Sequence, residues 1–153
     1  MAVNKFMYAR AALVAYLRAS ASLVTLTGHT ASDPRIAGGT TEDTLPQNCL
    51  LVFSRPARPL IDVELDDGPW NTSFHVYIQH TSEETVYQIL GTLQEYVARN
   101  ASTLADASYS GHASVQLESI RWSADLSNAP EVQKNAAGLF WTDAFLVVRW
   151  REK

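Results

Sequence analysis

The chain has 153 residues, 46% of them hydrophobic and 18% charged, with a formal net charge of −4. That length suits one domain, residues 1–153, able to bury a core without a metal or disulfide staple. The composition excludes a disordered chain, and the acidic balance speaks against a cationic nucleic-acid binder. No apolar run approaches the roughly 18–20 residues that span a bilayer, and no membrane partner is expected.

Taken in chain order, the first element is a helix predicted from about Lys5 to Val24, with Phe6, Leu13, Val14, Leu17 and Val24 on one stripe and Gly28 as its stop. The start has no long apolar stretch after its charge and does not read as a signal peptide. Residues 25–48 are rich in Thr, Ser, Gly, Asp and Pro and show no helix or strand period. A loop this long is uncommon inside a compact domain, which points to either a functional arm or a mobile segment that a partner orders. Leu50–Ser54 is apolar on both faces and reads as a central strand. Cys49 beside it stands alone, so no internal disulfide can form, and it reads as a small buried hydrophobe.

Leu60–Leu65 alternates carboxylates with apolar residues, as a strand with one wet face does, and Asp66-Asp67-Gly68-Pro69 is a turn signal. Charge is uneven across this point: residues 1–60 carry +3 and residues 61–153 carry −7. Ser73–His80 alternates, with Phe74, Val76 and Ile78 toward a core and His75, Tyr77 and Gln79 on the other face. Thr81-Ser82-Glu83-Glu84 has capping-box form, with Thr81 as N-cap. It opens an amphipathic helix through Val86, Ile89, Leu90, Leu93 and Val97 to about Arg99-Asn100. Val115–Trp122 alternates again, with Val115, Leu117, Ser119 and Arg121 opposed to Gln116, Glu118, Ile120 and Trp122. Residues 123–138 form a second predicted loop. Leu139–Trp150 is the last and longest strand, apolar on both faces. The order predicts an α+β fold: a mainly antiparallel four- or five-stranded sheet, two helices packed on one face, and long loops.

Chemistry-bearing patterns are absent. His29, His75, His80 and His112 make no metal-ligand spacing, and Gly38-Gly39-Thr40-Thr41 lacks the Lys-Ser/Thr ending of a phosphate loop. Asp62, Glu64, Asp66 and Asp67 lack the spacing of a calcium loop. No catalytic residue, metal or cofactor is expected. The aromatics are more informative. Trp70, Trp122, Trp141 and Trp150 sit in or beside predicted strands, where core packing is the ordinary reading. Yet a two-layer fold whose last strand is apolar on both faces lacks a cover for one face, and a second copy of the chain can supply it. The interface residues expected on this ground are Trp70, Tyr77, Trp141 and Trp150.

The layout also resembles a known family. A leading helix ends in Leu23-Val24-Thr25-Leu26-Thr27-Gly28. A long loop then carries Leu45-Pro46-Gln47-Asn48 into a strand, and a later strand, Phe74–Ile78, runs into Thr81-Ser82-Glu83-Glu84 and a helix. Over roughly residues 10–100 this resembles the tail terminator and tail-completion proteins of tailed bacteriophages. The resemblance implies a structural virion protein of the tail or neck, made in the host cytoplasm and not an enzyme. It implies a hexameric ring that caps the tail tube, ends its polymerisation and joins the tail to the head-side connector. The partners implied are further copies of the chain, the tail tube protein, and a head-side connector or stopper protein. DNA would only pass through the lumen, without sequence-specific binding, and the acidic Asp62, Glu64, Asp66 and Asp67 would line or flank that lumen. Another neck or connector component, such as a head-completion or stopper protein, is the alternative within the same class. A small α+β ligand-binding domain or enzyme is the alternative outside it.

Overall fold

A computed structural model describes residues 5–38, 47–54, 70–99, 115–123 and 131–152. The expected acidic strand Leu60–Leu65 and the turn after it lie outside the described residues.

The described elements are α1 (Lys5–Arg18), α2 (Ala21–Thr27), β1 (Ile36–Gly38), β2 (Cys49–Ser54), β3 (Trp70–His80), α3 (Glu83–Arg99), β4 (Val115–Trp122), β5 (Gln133–Lys134) and β6 (Phe140–Glu152). They build the expected α+β sandwich, with six strands in place of four or five and the short α2 as a third helix. The sheet order is β1-β2-β3-β6-β4, with β5 pairing β6 beside that path. All pairings are antiparallel except β1 with β2. α1 packs over β1, β2 and β4, α3 over β3, β4 and β6, and α2 against α3.

The core lies between helices and sheet. β3 and β6 supply it from alternate positions, Phe74, Val76 and Ile78 facing Ala144, Leu146 and Val148. From the helices come Leu13, Leu17, Leu23, Val86, Ile89 and Leu93. Tyr16 and Tyr96 tie α1 to α3 by a reciprocal pair of bonds. The Tyr96 hydroxyl donates to the Tyr16 carbonyl at 2.9 Å and the Tyr16 hydroxyl to the Tyr96 carbonyl at 3.3 Å, with ring centroids 4.7 Å apart. Both hydroxyls thus find acceptors where water has limited access.

Four local expectations are corrected. The single first helix is two helices meeting at 89°. Ser20 adopts extended backbone and its hydroxyl accepts from the Leu23 amide, capping α2. The corner lets Leu17 before it and Leu23 after it both bury completely. Gly28 ends α2 in the left-handed conformation at φ 73°, as a C-cap glycine does. Second, part of the supposed loop 25–48 is structured: α2 extends to Thr27, and Ile36–Gly38 pairs in parallel with Leu50–Val52. Third, the cap of α3 is Ser82, one residue beyond Thr81, and its hydroxyl accepts from the Thr85 amide at 3.3 Å. The Ser82 amide in turn donates to His80 Nδ1 at 3.0 Å. Fourth, the strict alternation of β4 fails at a bulge. Leu117 pairs with Trp150 and Ser119 with Arg149, leaving Glu118 extra. The bulge turns Ile120 into the core at 2% exposure and Arg121 into solvent, whereas an unbroken register would do the reverse.

Replacing Ser20 with Ala removes the cap at the α1–α2 corner. Chemical denaturation should register a loss of about 1 kcal/mol with the fold retained.

Candidate functional site

The sheet face opposite the helices is the surface that the sequence reading offers for assembly. Its residues come from the odd positions of β3 and β6 and from β2. Pairing sets Phe53 beside His75 and His75 beside Phe145, Leu51 beside Tyr77 and Tyr77 beside Asp143, and Cys49 beside Gln79 and Gln79 beside Trp141. Cross-strand neighbours of this kind stand close enough to pack as one row.

At the middle of the face, the His75 ring is bracketed by Phe53 and Phe145, with centroids 5.8 and 5.0 Å away. Asp143 Oδ2 approaches His75 Nε2 to 3.3 Å, but the geometry makes no hydrogen bond, so this nitrogen is buried without a hydrogen-bond partner. Toward one end, Tyr77 and Trp141 stack at 5.7 Å. The Tyr77 hydroxyl donates to Gln79 Oε1 at 2.7 Å, and Asn135 Nδ2 donates to the same oxygen at 3.3 Å. Burial, and next the nearby Cys49, raise the Tyr77 pKa, so the phenol stays protonated at neutral pH. Asn135 also shapes the β5–β6 turn: its Oδ1 accepts from the Ala137 and Leu139 amides, and Gly138 follows at φ 81°. At the other end, the bulged Glu118 holds Arg149, at 2.9 Å, and Arg151. The face therefore runs from an aromatic end, with Asp143 opposite Tyr77, to an end held by the Glu118–arginine cluster.

Of the expected interface residues, Tyr77 and Trp141 lie together on this face and are partly exposed. Trp150 does not belong there. Its side chain is 1% exposed on the helix side of the sheet, and its indole N–H donates to Thr72 Oγ1 at 3.0 Å. Even-numbered positions of β6 point into the core, and a residue as large as Trp fills it. Trp70 shares that side, half-buried, with its ring 4.6 Å from that of Trp150. The expected bare apolar face is also narrower than the sequence implies, because Leu51, Phe145 and Val147 are 5–8% exposed within the single chain. Asp62, Glu64, Asp66 and Asp67 lie outside the described residues. The histidine-aromatic bracket and the Glu118 clamp were missed by sequence reasoning. The bracket joins three strands, and the clamp needs a bulge that alternation does not reveal.

A second surface is an open groove of about 480 Å³ between α2 and α3, lined by Ala21, Ser22, Thr25, Leu26, Gln88 and Thr92. Tyr87 on α3 is 48% exposed. Among the described residues no three His, Cys, Asp or Glu side chains converge as metal ligands, and no single helix is long and apolar enough to cross a membrane. Cys49 is fully buried, and burial pushes its thiol up to about 11 against the smaller opposing effects of Arg35 and a backbone hydrogen bond from Gln79.

No protein-family model and no curated protein sequence matches the chain. Among solved structures, the fold resembles that of a chain in the virion of a native gene transfer agent (GTA) particle. The TM-score is 0.57 at 10% sequence identity, covering 96% of this chain and 95% of that one. At this identity the likeness is one of fold.

Two measurements check this assignment of residues. Trp150→Ala should cost about 3–5 kcal/mol in chemical denaturation, the range for emptying a large aromatic site in a core. Cys49 should react with an alkylating reagent at pH 8 at least about a hundredfold more slowly in the native chain than in the urea-unfolded chain, since only the thiolate attacks.

Proposed function

We propose that the chain is a structural virion subunit, without catalytic activity, that closes into a hexameric ring on the end of a tail tube. The ring stops tube polymerisation and joins the tail to the head-side connector. The observation that carries this reading is the fold shared, over nearly the whole of both chains, with a chain of a virion particle. The sequence resemblance over residues 10–100 agrees with it independently.

The physical requirement for such a ring is two different, complementary patches on each subunit, related by a rotation that closes. The helix-free sheet face offers one, with Tyr77 and Trp141 as anchors and the charged end around Glu118 fixing direction. The α2–α3 groove, lined from α3 by Gln88 and Thr92, offers a second on the opposite layer. Aromatic anchors at the centre of a patch contribute most of its binding energy, and charged groups at the rim set register and partner choice. The acidic residues 62–67 fit the lumen in this reading, where negative charge repels the passing DNA.

Trp141→Ala should weaken assembly while leaving the monomer folded. Native mass spectrometry of the purified chain, alone and with tail tubes, reads the first effect, and circular dichroism reads the second. Electron microscopy of particles lacking the protein separates the positions. Overlong tails identify a terminator, and full heads without tails or with leaking DNA identify a head-side stopper. A chain that stays monomeric with and without tail tubes overturns the ring.

A further inference from the structure

His29 follows the C-cap of α2, and its ring faces back onto the chain that leads into β1. Nδ1 accepts from two consecutive backbone amides, Arg35 at 2.9 Å and Ile36 at 3.1 Å. Both partners are donors, so this nitrogen must be bare and the ring neutral, with its proton on Nε2. The segment held this way has few other backbone ties, and its one fully buried side chain is Ile36. Arg18 Nε donates to the Ile36 carbonyl at 2.7 Å, the Leu50 amide donates to the Arg35 carbonyl at 2.8 Å, and β1 then pairs with β2 over three residues only.

We infer that His29 is a pH-sensitive latch that fastens β1 to the edge of β2. Protonating Nδ1 replaces an acceptor with a donor facing two donors, so both bonds are lost together and repulsion replaces them. With β1 released, the backbone of β2 at Leu50–Val52 keeps β3 on one side but loses its partner on the other and becomes an open sheet edge.

The charged groups around the ring act in both directions. Arg18 from α1 disfavours protonation and Asp33 favours it. Arg35 directs its guanidinium to Asp33 Oδ2 at 2.8 Å and to the Asn48 carbonyl at 3.3 Å. α2, β1 and β2 contribute no charged side chain. Burial is the largest influence on His29 and, with Arg18, lowers its pKa below the ordinary value. The sign follows. A base whose folded pKa is depressed binds its proton more readily in the released state. The latch is therefore closed above the ordinary histidine value of about 6.5 and opens as pH falls from there through the folded value.

The test is amide hydrogen exchange by NMR on the full chain between pH 7.5 and 5.0, corrected for intrinsic rates. Protection at Arg35, Ile36 and Leu50 should fall roughly tenfold toward low pH, as expected for losing two hydrogen bonds, while core amides in β3 hold theirs. His29→Gln keeps an acceptor that does not titrate and should flatten that dependence. Unchanged protection in the wild type, or an identical fall in H29Q, overturns the latch. A direct measurement covers the case in which H29Q fails to fold. The ring ¹⁵N shifts of wild-type His29 at pH 7.5 should show an unprotonated Nδ1, and a proton on Nδ1 there overturns the inference outright.

Discussion

The structure depends on one ladder. β3 and β6 pair over eleven consecutive positions, from Trp70 with Trp150 to His80 with Phe140. Everything else is referred to these two strands. β2 joins one side, β4 and β5 join the other, and the even positions of the pair set the floor on which α1 and α3 lie. Side chains alternate with period two, so a single register decides which residues enter the core and which stand on the open face. The buried Trp150–Thr72 bond secures that register near one end, joining a large aromatic side chain on β6 to a hydroxyl on β3. A one-residue slip would move Trp150 out of the core and Arg149 into it, an exchange that no local rearrangement could offset.

Where the sequence speaks through periodicity, it reads well. β2, β3, α3, β4 and β6 fall within a few residues of their expected bounds, because each buries one stripe or face strongly enough to fix its own type. The failures have a common cause. The Ser20 corner, the Ser82 cap and the Glu118 bulge are each decided by a hydrogen bond or ion pair to a neighbour, not by hydrophobic pattern. The candidate surface was half legible. Tyr77 and Trp141 follow from alternation, whereas Trp150 shares their apparent signature and sits on the opposite face. The pattern of the last strand shows two apolar faces but does not tell which face the helices occupy. That choice is made by three-dimensional packing of α1 and α3.

The burial of Phe145 and Val147 bears on how assembly would work. A face covered this far does not require a lid for solubility, so hydrophobic exposure alone would not drive copies together. What remains on the face is more selective: an aromatic stack at one end and a bulge-held carboxylate between two arginines at the other. Such a surface favours one orientation of a partner over others, because a wrong approach leaves charge unpaired against carbon. Such a surface leaves a subunit less prone to indiscriminate association than a broad greasy patch would.

The same reasoning accounts for how a fold can persist at 10% identity. The ladder, the helix layer and the caps constrain hydrophobicity and size, which many sequences satisfy. Surface chemistry is not constrained by the fold in this way. Similarity should therefore survive in the pattern of buried positions and fade at residues such as Tyr77, Trp141 and Glu118. The chain shares its fold with a chain of a virion particle while no sequence family matches it, and a pattern of buried positions that many sequences satisfy is compatible with both.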